Sequence, residues 1–215
     1  PSNYRPISIL SVLSKPLEKH IQSNLYSHLK AYDLISENQS GFREHRSCHT
    51  ALIQLIEQCL LNINNNELTG ILFLDFARVF DVMDHSLLLK KPLIYYKISN
   101  DALQFFTSFL SERQQLVDIG SMRSCLLQLK SGIPQGSILG PILFSNYIND
   151  LPMYMPCSCE MFADDTSVQS NNNDPVELVS NMQANINRLI EWTELNHMSL
   201  NTGKTKCMFV TTQLK

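Results

Sequence analysis

Three aspartates at the ends of apolar, strand-like runs constrain this sequence more than any other feature. Asp75 ends the run Ile71-Leu-Phe-Leu-Asp75, and Asp164 and Asp165 lie side by side between two runs of high strand propensity. Adjacent carboxylates at a turn are costly, because each negative charge disfavours ionisation of its neighbour. A divalent cation offsets that cost, so the pattern favours a metal site at the edge of a sheet.

The chemistry of such a site follows from the ligand preferences of hard cations. Mg²⁺ prefers oxygen ligands and usually takes one or two carboxylates together with substrate phosphates. Two such ions about 4 Å apart stabilise both the attacking and the leaving oxygen of an in-line phosphoryl transfer. The three aspartates therefore point to nucleotidyl transfer with two Mg²⁺ ions, Mn²⁺ being the alternative. An Asp-Asp pair taken alone more often belongs to a solvated turn, so the rest of the sequence has to decide.

A glycine- and proline-rich block lies between the two acidic segments. It reads Ser131-Gly-Ile-Pro-Gln-Gly-Ser-Ile-Leu-Gly-Pro141 and opens an apolar, helix-like run. Glycine lets the backbone approach a ligand closely, and a helix N-terminus attracts negative charge. The block is therefore typical of a loop that contacts an anionic ligand.

These features belong to a longer series of blocks that identifies a family. The blocks, in order, are Asn3-Tyr-Arg-Pro-Ile-Ser8, Gln39-Ser-Gly-Phe-Arg43, Leu74-Asp-Phe-Ala-Arg-Val-Phe-Asp81, Gly132-Ile-Pro-Gln-Gly-Ser-Ile-Leu-Gly-Pro-Ile-Leu-Phe144, Phe162-Ala-Asp-Asp165 and the weaker Leu200-Asn-Thr-Gly-Lys-Thr-Lys206. In this order and spacing they resemble the reverse transcriptase domain of a non-LTR retrotransposon of the LINE type, jockey-like. The resemblance covers nearly the whole chain.

The resemblance implies an α+β fold. A polymerase palm, an antiparallel sheet with helices on one face, is expected over residues 70–215, and partial, mainly helical fingers over 1–69. A hairpin near 113–131 would lie on the fingers side. The family's thumb would follow Lys215, and the parent protein would carry an endonuclease domain, so we expect the chain to be a piece of a longer protein.

The resemblance also implies roles for individual residues. Asp75 and Asp164 match the ligands of the two catalytic metal ions, with Asp165 close by and more supportive than liganding. Phe80 matches the bulky residue beneath the sugar that excludes ribonucleotides, the alternative being a core aromatic. Arg5 matches a fingers arginine that contacts the incoming triphosphate, because a guanidinium suits bidentate phosphate binding.

Further residues match positions around the nucleotide and the template. Gln135 and Gly136 match the loop that packs on the nascent base pair. Lys204 matches a late-palm lysine proposed to assist pyrophosphate departure, although a surface lysine is the alternative. Arg43 and Arg46 are expected either to contact the template backbone or to lie on a solvated surface.

Composition and charge limit the kinds of partner that the chain is expected to bind. With 44% hydrophobic and 17% charged residues the chain has a globular composition, and its net charge of −3 provides no overall basic surface. No apolar run reaches the roughly 20 residues that span a bilayer, so we expect no membrane partner. The cysteines are scattered apart from Cys157-Ser-Cys159, which predicts reduced thiols rather than a zinc site.

Periodicity and chain breakers predict the elements. Helices are predicted over 16–29, 50–62, 86–97, 101–110, 137–150 and 175–197. Strands are predicted over 71–75 and 206–211, as a hairpin of 114–119 with 124–130, and as a strand-turn-strand over 161–168. Thr50 is predicted to cap the second helix, Pro92 to break the third, and Pro141 to occupy a first turn or a kink.

The predicted function is RNA-directed DNA polymerisation, with an RNA template, a DNA primer and dNTPs as partners, inside the cell and, by resemblance, in the nucleus. One alternative is a group II intron maturase or a viral RNA polymerase of the same fold. Another is a decayed fragment that at most binds nucleic acid. Departures from the family pattern at Ala77-Arg78-Val79, Pro92 and Lys97 suggest accumulated neutral changes, so ancestry and activity are separate questions.

Overall fold

The computed structural model describes residues 7–96 and 98–212 and is mixed helix and sheet. The helices are α1 (Ser14–Ala31), α2 (Cys48–Asn64), α3 (Val79–Val82), α4 (His85–Tyr95), α5 (Asn100–Leu110), α6 (Gly140–Ile148), α7 (Leu151–Tyr154) and α8 (Pro175–Leu195). The strands are β1 (Leu68–Leu74), β2 (Gln114–Gln115), β3 (Asp118–Ile119), β4 (Met122–Arg123), β5 (Leu127–Gln128), β6 (Ser158–Phe162), β7 (Asp165–Asn172) and β8 (Lys206–Val210). Within the described residues, no helix is both long and apolar enough to cross a membrane.

The chain divides into two compact units, each built from two separate stretches. The first unit comprises Pro1–Leu34 and Arg78–Tyr147, and the second comprises Ile35–Ala77 and Ile148–Lys215. These boundaries differ from the predicted contiguous division at residues 69 and 70, because β1 pairs with strands that come much later in the chain. The assignment of the units to fingers and palm stays a prediction.

The second unit is built on a four-stranded antiparallel sheet with the order β6-β7-β1-β8. β1 lies inside the sheet, where Leu72 pairs with Val168 on one side and with Cys207 on the other. Its run of apolar residues suits this position, since a strand paired on both edges is largely removed from water. The predicted strand is therefore confirmed, although it begins at Leu68 and ends at Leu74 rather than at Asp75.

Helices pack on both faces of this sheet, so the prediction of helices on one face is wrong. α8 lies on the face of Gly70, where a Cβ would collide with Met182. α2 contacts β1 and β6, and its Asn62 donates through Nδ2 to Thr69 Oγ1 at 3.0 Å. Because neighbouring residues of a strand point to opposite faces, Thr69 and Gly70 place the two helices on opposite sides. The sequence did not reveal this arrangement, because an amphipathic pattern shows which side of a helix is packed but not which face of the sheet it packs on.

The helix ends follow from capping chemistry. Ser47, not the predicted Thr50, caps α2: its side chain accepts from the Thr50 N–H, and Thr50 Oγ1 accepts from the Ser47 N–H at 2.9 Å. This reciprocal pair is a capping box, so Thr50 occupies the third helical position. Asp174 caps α8 through the Val176 N–H at 2.8 Å, with Pro175 at the first helical position. The predicted start of that helix is confirmed.

The first unit contains α1, α3, α4, α5 and most of α6, with the short pairs β2–β5 and β3–β4. The two pairs form the predicted hairpin, whose tip carries Gly120 with φ of 62°. α4 runs through Pro92 to Tyr95, so the prediction that this proline breaks the helix is wrong, while Lys97 lies outside the described residues. α6 begins only at Gly140, which places Pro141 in its first turn, as predicted.

Candidate active site

The aspartate pair occupies a two-residue hairpin turn in the second unit. Phe162 pairs with Asp165, so Ala163 and Asp164 are the central residues of the turn and Asp165 begins β7. Ala163 adopts φ of 56°, and a positive φ at the first central residue is typical of a type II′ turn, which matches the twist of the flanking strands. The turn therefore presents two carboxylates at the end of the sheet.

Asp75 reaches the same end of the sheet through the register of β1 with β7. Leu74 pairs with Thr166, and extending this antiparallel register by one residue places Asp75 opposite Asp165. Directly opposite residues on one face have Cβ atoms roughly 4.5–5.5 Å apart. Asp75 and Asp164 are half-buried and Asp165 is exposed. The three aspartates that the sequence singled out thus lie at one end of one sheet.

The backbone of Asp75 is fixed by the loop between α8 and β8. Its carbonyl oxygen accepts from the Asn201 N–H at 2.7 Å, and its N–H donates to Thr205 Oγ1 at 3.5 Å. The Thr205 hydroxyl also donates to the Asn201 carbonyl oxygen at 3.0 Å. Sequence reasoning missed both residues, although they belong to the sixth block. It singled out only Lys204, whose side chain is exposed.

The carboxylate oxygens at this end of the sheet fit a divalent cation. Carboxylate oxygens are the ligands that hard cations prefer, and Mg²⁺ commonly takes one or two protein carboxylates, with waters and substrate phosphates completing its shell. Over residues 7–96 and 98–212, no group of three or more His, Cys, Asp and Glu side chains is placed to hold a metal ion. The carboxylates of neighbouring strands suit a site that substrate helps to complete, rather than a closed protein cage.

The glycine-rich block lies in the first unit, where it packs against the residues that follow Asp75 in sequence. Gly132, with φ of 82°, donates its N–H to the Met83 carbonyl oxygen at 2.8 Å. A Cβ on Gly132 would lie 2.7 Å from the carbonyl oxygens of Phe80 and Asp81. The close approach that this glycine permits is therefore to the protein's own backbone.

The predicted nucleotide-binding residues of this unit are anchored by nearby groups. The Phe80 ring is half-buried, with its centroid 5.1 Å from that of Phe144. Gln135 donates through Nε2 to Asp81 Oδ1 at 3.3 Å. Gly136 is exposed with φ of 116°, a conformation that favours glycine. Their roles toward a nucleotide stay predictions.

The two arginines expected near the template form contacts within their own loop. Arg43 donates to Glu37 Oε1 at 3.1 Å and to the Ser36 carbonyl oxygen at 2.8 Å, and Arg46 also pairs with the Glu37 carboxylate. The hydrogen bond from Arg43, helped by the charge of Arg46, lowers the pKa of Glu37. These contacts use part of the donor capacity of both arginines, and template binding stays a prediction. Arg5 lies outside the described residues.

A comparison with protein families decides the ancestry of this site. The profile of the family described as "Reverse transcriptase (RNA-dependent DNA polymerase)" matches residues 1–215. The chain belongs to this family. The predicted resemblance is therefore confirmed. The aspartates lie at the end of the sheet of a reverse transcriptase domain, and this family generally uses a divalent metal.

Relatives of this reverse transcriptase domain come from mobile elements. It is 30% identical over 210 residues to the probable RNA-directed DNA polymerase from transposon X-element of Drosophila melanogaster, covering 95% of this chain and 23% of that protein. It is 30% identical over 210 residues to the RNA-directed DNA polymerase from mobile element jockey of Drosophila funebris, covering 94% of this chain and 23% of that protein. The chain thus spans about a quarter of the length of these relatives.

Solved structures similar to the reverse transcriptase domain include telomerases. The structure of telomerase from Candida tropicalis with a fragment of telomeric RNA gives a TM-score of 0.62 at 14% identity, over 92% of this chain and 34% of that chain. The corresponding structure from Candida albicans gives a TM-score of 0.59 at 15% identity, over 95% of this chain and 35% of that chain. At such identities the likeness shows the polymerase fold alone, which confirms the α+β class.

Proposed function

We propose that this domain catalyses RNA-directed DNA synthesis, adding deoxynucleotides to a primer 3′-hydroxyl on an RNA template. The observation that carries the proposal is the strand register: Leu74 pairs with Thr166, so the next residues, Asp75 and Asp165, lie at the same end of the sheet, with Asp164 in the adjoining turn. The telomerase neighbours and the transposon relatives support an RNA template. An endonuclease elsewhere in the parent protein and action in the nucleus belong to the same proposal.

The aspartates would hold two divalent ions, Mg²⁺ or Mn²⁺. When bound, such ions neutralise charge on the transferring phosphate and activate the attacking hydroxyl. The protein itself supplies position. The Asn201 and Thr205 contacts hold the backbone at Asp75, and the pairing of Phe162 with Asp165 closes the turn that carries Asp164, so the carboxylates would need little reorganisation when substrate arrives.

Other residues would select and hold the nucleotide and approach the template. The Phe80 ring is proposed to lie beneath the sugar and to exclude a 2′-hydroxyl by its bulk, while Arg5 and Lys204 contact phosphates. Gln135 and Gly136 are proposed to pack on the nascent base pair. Arg43 and Arg46 are proposed to approach the template backbone with the donors that Glu37 leaves available.

The test replaces Asp164 by Asn in the protein that carries this chain and measures primer extension on an RNA template. Loss of carboxylate charge at the reacting phosphate should lower kcat by at least ~10³, while the Kd for primer-template changes little. Asp118→Asn is the matched control, because Asp118 forms an exposed ion pair with Arg123 on the hairpin. Retention of more than a tenth of wild-type activity by Asp164→Asn would contradict the assignment.

A further inference from the structure

A short segment of the second unit runs along the free edge of β6, beside the aspartate turn. The Ser40 N–H donates to the Met161 carbonyl oxygen at 2.8 Å, and the Met161 N–H donates to the Asn38 carbonyl oxygen at 2.7 Å. Gln39 and Met161 thereby form a parallel bridge. The segment adds one bridge to the edge of the sheet, and its Gly41 lies against the backbone of Ala163 in the turn.

The side chain of Gln39 reaches into that turn. It is fully buried, with no exposed surface, and its Oε1 accepts from the Ala163 N–H at 3.0 Å and from the Gly41 N–H at 2.7 Å. Because both partners are donors, the amide oxygen must face them, and this fixes the orientation of the amide. Ala163 is the residue with φ of 56°, a conformation that costs a non-glycine residue roughly 1–2 kcal/mol. Gln39 therefore stabilises the strained position of the turn.

Gly41 permits this approach. A Cβ on Gly41 would collide with the backbone nitrogen of Ala163 and lie 2.8 Å from its Cα. Gly41 has no positive φ, so the position requires the small size of glycine rather than its conformational freedom. The segment and the turn are thus fitted to each other at backbone level.

The chemical choice at position 39 is informative. The Gln39 Nε2 is buried without a partner among the described residues, and an unsatisfied buried donor costs roughly 1–3 kcal/mol. A carboxylate would accept the same two hydrogen bonds and leave no such donor. It would also add a negative charge beside Asp164 and Asp165, where like charges disfavour one another. A neutral acceptor satisfies the turn without that repulsion.

We propose that Gln39 is a positioning residue for Asp164: its amide oxygen holds Ala163 and thereby fixes the turn that carries the catalytic carboxylates. The inference rests on the proposed polymerase function for its catalytic consequence. Its structural part, the control of the turn by Gln39, can be measured without any reaction.

The test compares Gln39→Met, which fills the volume but accepts no hydrogen bond, with Gln39→Glu, which keeps the acceptor. Gln169→Met is the matched control, since Gln169 is also buried on this sheet and both its amide atoms lack a partner among the described residues. The first readout is hydrogen exchange at the Ala163 amide in the metal-free protein. Gln39→Met should exchange about tenfold faster, whereas Gln169→Met should keep the protection of the wild type. Gln39→Glu should fall between them, because it keeps the acceptor but adds a negative charge beside the aspartates.

The second readout separates positioning from stability. Gln39→Met should lower kcat about ten- to a hundredfold and raise the Mn²⁺ concentration for half-maximal binding, followed by electron paramagnetic resonance, while the Kd for primer-template stays within about twofold. Gln169→Met should match the wild type in all three quantities, whatever its melting temperature.

Two results would overturn the inference. One is wild-type exchange at Ala163 in Gln39→Met, and the other is an equal loss of kcat in Gln39→Met and Gln169→Met that follows their melting temperatures. A failure of the proposed function is distinguishable, because wild type and Asp164→Asn would then extend primers equally while the exchange at Ala163 still reports on Gln39.

Discussion

The aspartate turn of the second unit and the glycine-rich loop of the first are each held by one buried side chain from a distant segment. The turn is held by the amide of Gln39. The loop is held by the carboxylate of Glu18, only 3% exposed, which accepts from Ser137 Oγ and the Ile138 N–H, each at 2.8 Å, and from the Leu139 N–H at 3.4 Å. Both anchors are acceptors of backbone hydrogen bonds, but only one carries a charge.

The difference follows from what each anchor faces. Glu18 lies beside the residues that lead into α6, where unpaired N–H groups and the helix dipole favour a negative charge. Gln39 lies beside the aspartates, where a second negative charge would be unfavourable. The charge of a buried anchor thus complements the local field, and an anchor can be recognised by its acceptor geometry even when its charge is zero.

The largest expected effect concerns the charged anchor. Glu18→Ala should lower the free energy of unfolding by about 2–4 kcal/mol, because it leaves buried donors without an acceptor. Glu18→Gln should lower it by less, since one acceptor oxygen remains. Chemical denaturation measures both, with Glu57→Ala on the exposed face of α2 as the control. If Glu18→Ala lowers the free energy of unfolding no more than Glu57→Ala does, Glu18 does not anchor the loop.

A pair of glycines tests whether close approach or conformation matters at the loop. Gly132→Ala should cost about 2–3 kcal/mol, because the methyl group meets two carbonyl oxygens and φ is 82°. Gly120→Ala has a similar φ of 62° but no atom within 4 Å of its Cβ, so it should cost about 1–2 kcal/mol. Equal losses of unfolding free energy would show that Gly132 is needed only for its backbone conformation.

The proposed role of Phe80 in sugar selection can be tested by shortening its side chain. Phe80→Val should raise ribonucleotide use relative to deoxyribonucleotide use roughly tenfold, because a smaller side chain leaves room for the 2′-hydroxyl. Single-nucleotide extension gives the ratio. The control is Phe109→Val, which truncates a half-buried ring that stacks on Phe105. An unchanged ratio would mean that Phe80 serves only to pack against Phe144.

The smallest expected effect concerns Glu37, whose pKa is lowered by Arg43 and Arg46. A carboxyl with a lowered folded-state pKa stabilises the fold above its unfolded pKa and loses that contribution as the pH falls through the folded-state value. Glu37→Gln should therefore reduce stability at pH 7 by less than about 1 kcal/mol, since the carboxylate is exposed, and by nothing at low pH. Melting temperatures across pH measure this, and a loss independent of pH would point to lost contacts instead.

Much of the fold and the position of the aspartates could be predicted from the sequence. β1, the aspartate hairpin and α8 carry strong local signals, namely a short apolar run, a turn between strand-prone segments, and apolar residues at steps of three and four. Local rules failed where two signals compete. Ser47 and Thr50 both suit a cap, and Pro92 lies in a helix that continues through it.

The anchors could not be predicted, because they act over long sequence separations. Glu18 contacts a loop 119–121 residues away, and Gln39 contacts Ala163 at a separation of 124. The sequence does contain a faint signal for each. Glu18 is an acidic residue on the same helical face as the buried Leu25 and Leu29, and Gln39 lies two residues before Gly41 in one of the family blocks. Neither pattern names its partner, which only the fold provides.

The discontinuous second unit has a consequence for synthesis. β1 is made well before its partners in the sheet, since Leu72 pairs with Val168 and Cys207. At roughly 5–20 residues per second, about 5–20 s separate the translation of Leu72 from that of Val168. Over that interval the nascent chain carries an apolar strand without its neighbours, whereas the hairpins of the intervening segment can close at once. Ribosome-bound chains that end before β7 should therefore depend most on chaperones.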